Sequence, residues 1–109
     1  MVITLTAEDW YNKGIVLCKV ERRVEEAVQC YNKALEIDPK YVDAWYGKGD
    51  ALYIMGRCSK AVVDLEDALV LAFLEEALLC FDKVLKLAPQ NKGASGRKQQ
   101  TLKAIRDLK

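Results

Sequence analysis

The sequence predicts an all-α protein assembled from antiparallel helix-turn-helix repeats, an α-solenoid with one long fused helix at about 59–88. Three observations predict it. Apolar residues recur every three or four positions along nearly all of the 109-residue chain, and strand-like alternation is missing. Only two prolines, Pro39 and Pro89, punctuate that pattern. The chain also repeats itself: Trp10-Tyr11-x-Lys13-Gly14 recurs 35 residues later as Trp45-Tyr46-x-Lys48-Gly49.

Length and composition bound what such a chain can be. A single domain fits 109 residues, and 51% hydrophobic with 30% charged is a globular balance rather than a disordered one. With 17 basic residues against 16 acidic, a net charge of +1 gives no overall pull toward nucleic acid or anionic lipid. The sign is uneven, because Lys92, Arg97, Lys98, Lys103, Arg106 and Lys109 face only Asp107 beyond residue 90. Neither a signal peptide nor a bilayer-length apolar run is visible, so a cytoplasmic protein without a membrane partner is expected.

Taken in order, Thr6 with Asp9 three residues on reads as the capped start of a first helix. Trp10, Gly14 and Leu17 share one stripe of it, and Trp45, Gly49 and Leu52 copy that stripe in a later helix. A glycine inside a helix costs about 1 kcal/mol relative to alanine, so its recurrence predicts close approach by a neighbouring helix. Ala27, Tyr31 and Ala34 form the complementary stripe on a second helix, and the turn Gly56-Arg57-Cys58-Ser59 separates the second pair of helices. The block Glu25-Glu26-Ala27-Val28-Gln29-Cys30-Tyr31, closed by Pro39, returns 50 residues later as Glu75-Glu76-Ala77-Leu78-Leu79-Cys80-Phe81, closed by Pro89.

Trp…Gly in one helix and Ala…aromatic…Ala…Pro in the next, in register twice, resembles the tetratricopeptide repeat family. The resemblance implies a first repeat at 7–40, a second at 41–73, half a repeat at 74–89 and a helix like the family's terminal cap at 90–109. It departs from the family pattern at Leu17 and Leu52, where tyrosine is common, and at Lys13 and Lys48, where leucine is common.

The shift of 50 implies that the third unit starts half a repeat early, its first helix lost. Residues from Ser59 to Leu87 then read as one helix, roughly 43 Å long at 1.5 Å per residue. Ala61 and Ala77, equivalent in their units, would lie about 160° apart around it, so Ala68 to Leu74 is expected to be buried all round. With its natural partner helix lost, the apolar face of Leu69, Ala72, Phe73, Leu74, Leu78, Phe81 and Leu85 is expected to pair with a second copy, a homodimer.

Chemistry is not expected. Histidine is absent, Cys18, Cys30, Cys58 and Cys80 have no metal or redox spacing, and no phosphate-binding glycine motif occurs. The cysteines read as small buried hydrophobes, and Glu25-Glu26 and Glu75-Glu76 as first-turn carboxylates at helix N-termini. No catalytic residue, cofactor or metal is expected.

The resemblance implies instead a non-catalytic interaction module that binds a peptide or partner helix in a concave groove lined by the first helix of each repeat. Carried onto this sequence, the groove is Glu8, Tyr11, Ile15, Cys18 and Lys19 from the first repeat, and Asp43, Tyr46, Asp50, Tyr53 and Ile54 from the second. Tyr11, Ile15 and Asp50 stand where chaperone-tail-binding members hold a Lys/Asn carboxylate clamp, so a basic or apolar peptide is the expected ligand. Two other readings compete: a self-assembling structural element with no ligand, and RNA binding through the basic C-terminal helix. The second is disfavoured because aromatic residues are not interleaved with the cations there.

Overall fold

The first helix, α1 (Ala7–Lys19), starts at a capping box in which Thr6 Oγ1 accepts from the Asp9 amide at 3.1 Å and Asp9 Oδ2 accepts from the Thr6 amide at 2.9 Å. The computed structural model describes residues 4–20, 22–62 and 67–108, with the side chains of 58–62 outside the description. Arg22 takes a left-handed φ of 57°, and the Arg23 amide donates to the Leu17 carbonyl at 2.7 Å, so the chain reverses into α2 (Val24–Ile37). Buried Ala27, Cys30, Tyr31, Ala34 and Leu35 form one stripe of α2. The helix α3 (Val42–Val62) follows a turn that holds Pro39, and the Trp45 indole N–H donates to the Pro39 carbonyl at 2.8 Å. Completing the fold are α4 (Asp67–Leu87) and α5 (Lys92–Asp107). All five elements are helices, and no strand occurs among the described residues.

The recurring glycines are explained by the ring between them. Tyr31 is 1% exposed, and a Cβ built on Gly14 or Gly47 would lie 2.7 or 2.8 Å from its ring. Only glycine lets α1 and α3 close on α2 from both sides. Phe81 repeats half of this on Gly49, where a Cβ would lie 2.9 Å from the ring.

The 50-residue shift is real in three dimensions. Before α3, the amides of Asp38 and Tyr41 donate to Ala34 and Asp38 carbonyls at 2.9 and 3.1 Å; before α5, those of Ala88 and Asn91 donate to Val84 and Ala88 at 2.6 and 3.0 Å. Buried Ala44 and Ala51 of α3 correspond to buried Ala94 and Thr101 of α5. Asn91 caps α5 by accepting from the Ala94 amide at 2.9 Å, so Gly93 and Gly96 lie inside the helix.

What fills the extra length differs from the sequence expectation. The helix predicted at 59–88 does not form as one rod. Residues 59–62 finish α3, and α4 folds back along it: a Cβ on Gly56 would lie 2.9 Å from Leu74, just as Gly49 meets Phe81. On a single straight helix Gly56 and Leu74 would be about 27 Å apart. Gly56 and Arg57, expected in a turn, are helical, and the link at 63–66 lies outside the described residues. The second unit is therefore a hairpin of two 21-residue helices, against 13 and 14 residues in the first.

Folding back also removes the need for a helix apolar all round. Val70, Leu74, Ala77, Phe81 and Val84 are buried at alternating four- and three-residue spacing, one continuous stripe against α3. Ala68, Leu69 and Ala72 of the apolar run face outward instead, Leu69 being 44% exposed.

Candidate functional site

The first helices of successive units run side by side. Burial pushes the Tyr11 phenol up, and the Asp43 carboxylate across the α1–α3 seam adds to it. Burial also raises the Cys18 thiol, reinforced by Asp50 and countered by Lys19. These two cross-seam pairs share one sequence offset, which makes α1 and α3 parallel neighbours. Tyr41, at the head of α3, is raised by burial first and then by Glu8, Asp43, Tyr11 and Asp38. Its ring lies 5.4 Å from that of Tyr11, which in turn lies 5.9 Å from Tyr31.

The predicted groove residues divide by environment. Glu8, Lys19 and Asp43 are exposed, while Tyr11, Ile15, Cys18, Tyr46, Asp50 and Ile54 are half-buried. Ile15 and Cys18 pack against the cluster of Leu17, Ala27, Cys30, Tyr31 and Ala51. Tyr46 makes an edge contact with Phe81 at 5.8 Å and lies beside Gly93 of α5. Tyr53 is 6% exposed and belongs to the core between α3 and α4. Asp50 meets Arg97 of α5, its buried Oδ1 lying 3.1 Å from the guanidinium Nε without a well-directed hydrogen bond.

The face offered to solvent thus has two ends. Glu8, Tyr11, Tyr41 and Asp43 make an acidic-aromatic end across α1 and α3. Toward α5 it turns basic: Arg57 and Arg97 stand over the Tyr53 ring at 5.7 and 5.6 Å, and Arg57 donates to the Tyr53 hydroxyl at 2.9 Å. A cleft of about 690 Å³ opens there between α3, α4 and α5, lined also by Lys103, Asp107 and Leu108. Sequence reasoning missed Tyr41, Arg57, Arg97 and Lys103 as site residues. Pro39 and Pro89 held the signal, since their shift of 50 sets α5 in register with α3.

Of the residues assigned to a dimer face, Leu74 and Phe81 lie in the core of one chain, at 1% and 0% exposure. Phe73, Leu78 and Leu85 are half-buried, and Leu69 and Ala72 are exposed. Cys18, Cys30 and Cys80 are free thiols; no group of three metal-ligating side chains occurs among the described residues, and no helix there is long and apolar enough to cross a membrane.

Comparison with known proteins fits this architecture. The family model described as "TPR repeat", the tetratricopeptide repeat, matches residues 23–56, which span α2, the Pro39 turn and α3 as far as Gly56. Over these residues the chain is similar to a tetratricopeptide repeat. An uncharacterized protein of Methanocaldococcus jannaschii is 44% identical over 55 residues, covering 50% of this chain and 63% of that one. Superkiller protein 3 of Saccharomyces cerevisiae is 24% identical over 88 residues, 80% of this chain and 5% of that protein. Photosystem I assembly protein Ycf3 of Acaryochloris marina is 28% identical over 81 residues, 74% of this chain and 47% of that protein. The chain thus spans less than two thirds of each of these relatives. Tetratricopeptide repeats are protein–protein interaction modules, typically without catalytic activity.

Proposed function

We propose that the face formed by α1 and α3 binds an extended, basic or apolar segment of a partner protein. The observation that carries this reading is the cross-seam cluster of Glu8, Tyr11, Tyr41 and Asp43, where two carboxylates flank neighbouring phenol rings tilted by 31°. Tyrosine offers large amphipathic contact area at low entropic cost, and the carboxylates select positive charge. Asp50 contributes less than its charge suggests, because Arg97 already neutralises it.

The test is titration of fluorescent basic and acidic peptides against the protein and a Glu8→Lys/Asp43→Lys double variant. Reversing two rim charges is expected to weaken the basic peptide about tenfold, each partly exposed pair contributing roughly 0.5–1 kcal/mol. Equal affinity for both peptides, unchanged in the variant, removes the reading.

A second reading, self-association, draws on α4, where Leu69 and Leu79 are 44% and 68% exposed beside Ala72 and Phe73. The fused helix no longer supports it, and a monomer mass by light scattering at tens of micromolar ends it. RNA binding by α5 is weaker still, because Arg97 and Lys98 are paired with Asp50 and Asp82 at 3.1 and 2.8 Å.

A further inference from the structure

We propose that the α1–α3 end of the face takes an arginine side chain of the partner segment, its guanidinium stacked on the Tyr41 ring and paired with Glu8 and Asp43. This rests on the partner-binding reading and narrows it to one anchoring residue.

Elsewhere in the molecule, aromatic rings carry cations of the chain's own. Lys13 lies 5.3 Å from the centre of the Trp10 ring, Lys48 and Lys83 lie 5.6 and 6.0 Å from that of Trp45, and Arg57 and Arg97 stand over Tyr53. Among the described residues no cation stands over Tyr11 or Tyr41, although both remain partly exposed. The acidic side chains divide in the same way. Glu26, Glu36, Asp50, Glu76 and Asp82 each meet a lysine or arginine. Exposed Glu8 and Asp43 make no ion pair among the described residues, not even with Lys40, which adjoins Tyr41 in the chain. Rings without a cation and carboxylates without a cation thus coincide at one place.

Two helices assemble that place. Glu8 lies in the first turn of α1 and Asp43 in the first turn of α3, with Tyr41 just before it. Burial raises the Tyr41 phenol first, and Glu8 and Asp43 add to it; the field that opposes a phenolate attracts a cation. The Tyr11 and Tyr41 rings are 5.4 Å apart, whereas a third plane between them would need roughly 7 Å, so the guest stacks on the open side of Tyr41. Farther along the seam, the hydroxyl of Tyr31, a side chain 1% exposed, has no hydrogen-bond partner among the described residues. A Cβ on Gly47, one turn beyond Asp43, would lie 3.2 Å from that hydroxyl, which is left for a polar group of the guest's backbone.

The arrangement selects arginine over lysine. An ammonium is a compact, strongly hydrated point charge. A guanidinium is planar and more weakly hydrated, and its five donors lie around the edge, so it bonds carboxylates on two helices while its face rests on a ring.

The experiment follows nitrogen-15-labelled protein by NMR as short, end-blocked peptides of valine and serine around a central arginine, lysine or citrulline are added. The arginine peptide is expected to shift the Tyr11, Tyr41 and Asp43 amides and to bind about fivefold more tightly than the lysine peptide. Citrulline, planar but neutral, is expected to lose about tenfold. Tyr41→Leu is expected to bring arginine and lysine within about twofold, while Tyr41→Phe keeps the preference, because stacking uses the ring and not the hydroxyl. Equal binding of arginine and lysine, full binding of citrulline, or a preference that survives Tyr41→Leu overturns the proposal. The Glu8→Lys/Asp43→Lys variant tells the two readings apart. If arginine and lysine peptides bind the parent alike and both weaken in the variant, the arginine anchor falls and the basic-segment reading stands. If neither binds the parent, both fall. Thermal unfolding of each variant checks that the fold persists.

Discussion

Gly56 of α3 and Leu74 of α4 lie so close that a Cβ on the glycine would come within 2.9 Å of Leu74 Cδ2. This contact, two turns beyond that of Gly49 with Phe81, holds the distal half of the hairpin closed. Replacing Gly56 by valine is therefore expected to destabilise the protein by about 1–3 kcal/mol through overpacking. Were 59–88 one rod, residue 56 would have no such neighbour, and removing a helix glycine would raise stability instead. Urea denaturation distinguishes the two by sign.

Tyr31 predicts a coupled result. Gly14→Ala and Gly47→Ala each push a methyl into a ring that is 1% exposed and confined on both sides, so each is expected to cost about 1–3 kcal/mol despite better helix propensity. Tyr31→Leu removes the ring and is expected to make either alanine nearly neutral. A double-mutant cycle by thermal unfolding should give a coupling above about 0.5 kcal/mol, and additive effects would show that the ring can move aside.

Most of the fold was legible because its signals are local. Thr6 with Asp9, Trp10 with Gly14 and the two prolines each specify an element, and the Trp10–Lys13 contact at 5.3 Å returns as Trp45–Lys48 at 5.6 Å. The path between Gly56 and Leu74 was not. In sequence Gly56 reads as part of a turn, yet here it is helical and Leu74 occupies the space of its missing side chain. The apolar run at 68–74 gave no breaking signal, and which of its residues face α3 depends on the direction in which α4 returns. At the acidic end of the candidate face, the family resemblance implied Glu8, Tyr11 and Asp43 but not Tyr41. Nothing in the sequence marked the basic end, because Arg97 becomes a neighbour of Tyr53 only through tertiary packing.

Asp9 sets an acid-side dependence. Its carboxyl is held below the usual carboxylate value of 3.8 by hydrogen bonds from the Thr6 backbone and hydroxyl. A depressed folded-state pKa contributes stability that is present above the unfolded value and is lost as pH falls through the folded one. Below about pH 4, Asp9→Asn is expected to lose less stability per pH unit than the parent, as followed by helix ellipticity. Parallel curves would show that the capping box does not favour the ionised form.

Cys80 sets the alkaline side. Burial against α3 pushes its thiol from 9.0 up to about 11, with Lys48 opposing the shift and Glu76 adding to it. Because the folded state favours the protonated thiol, this contribution is intact below pH 9 and is lost as pH rises toward about 11, roughly 2–3 kcal/mol in all. Cys80→Ala is expected to lower stability at neutral pH, through a small cavity, but to flatten its decline above pH 9. The same burial suppresses the reactive thiolate, so at pH 8 iodoacetamide should alkylate half-buried Cys18 well before Cys80. Site-resolved mass spectrometry reads that order directly, and early modification of Cys80 in the folded protein would mean that the α3–α4 hairpin opens where Phe81 meets Gly49.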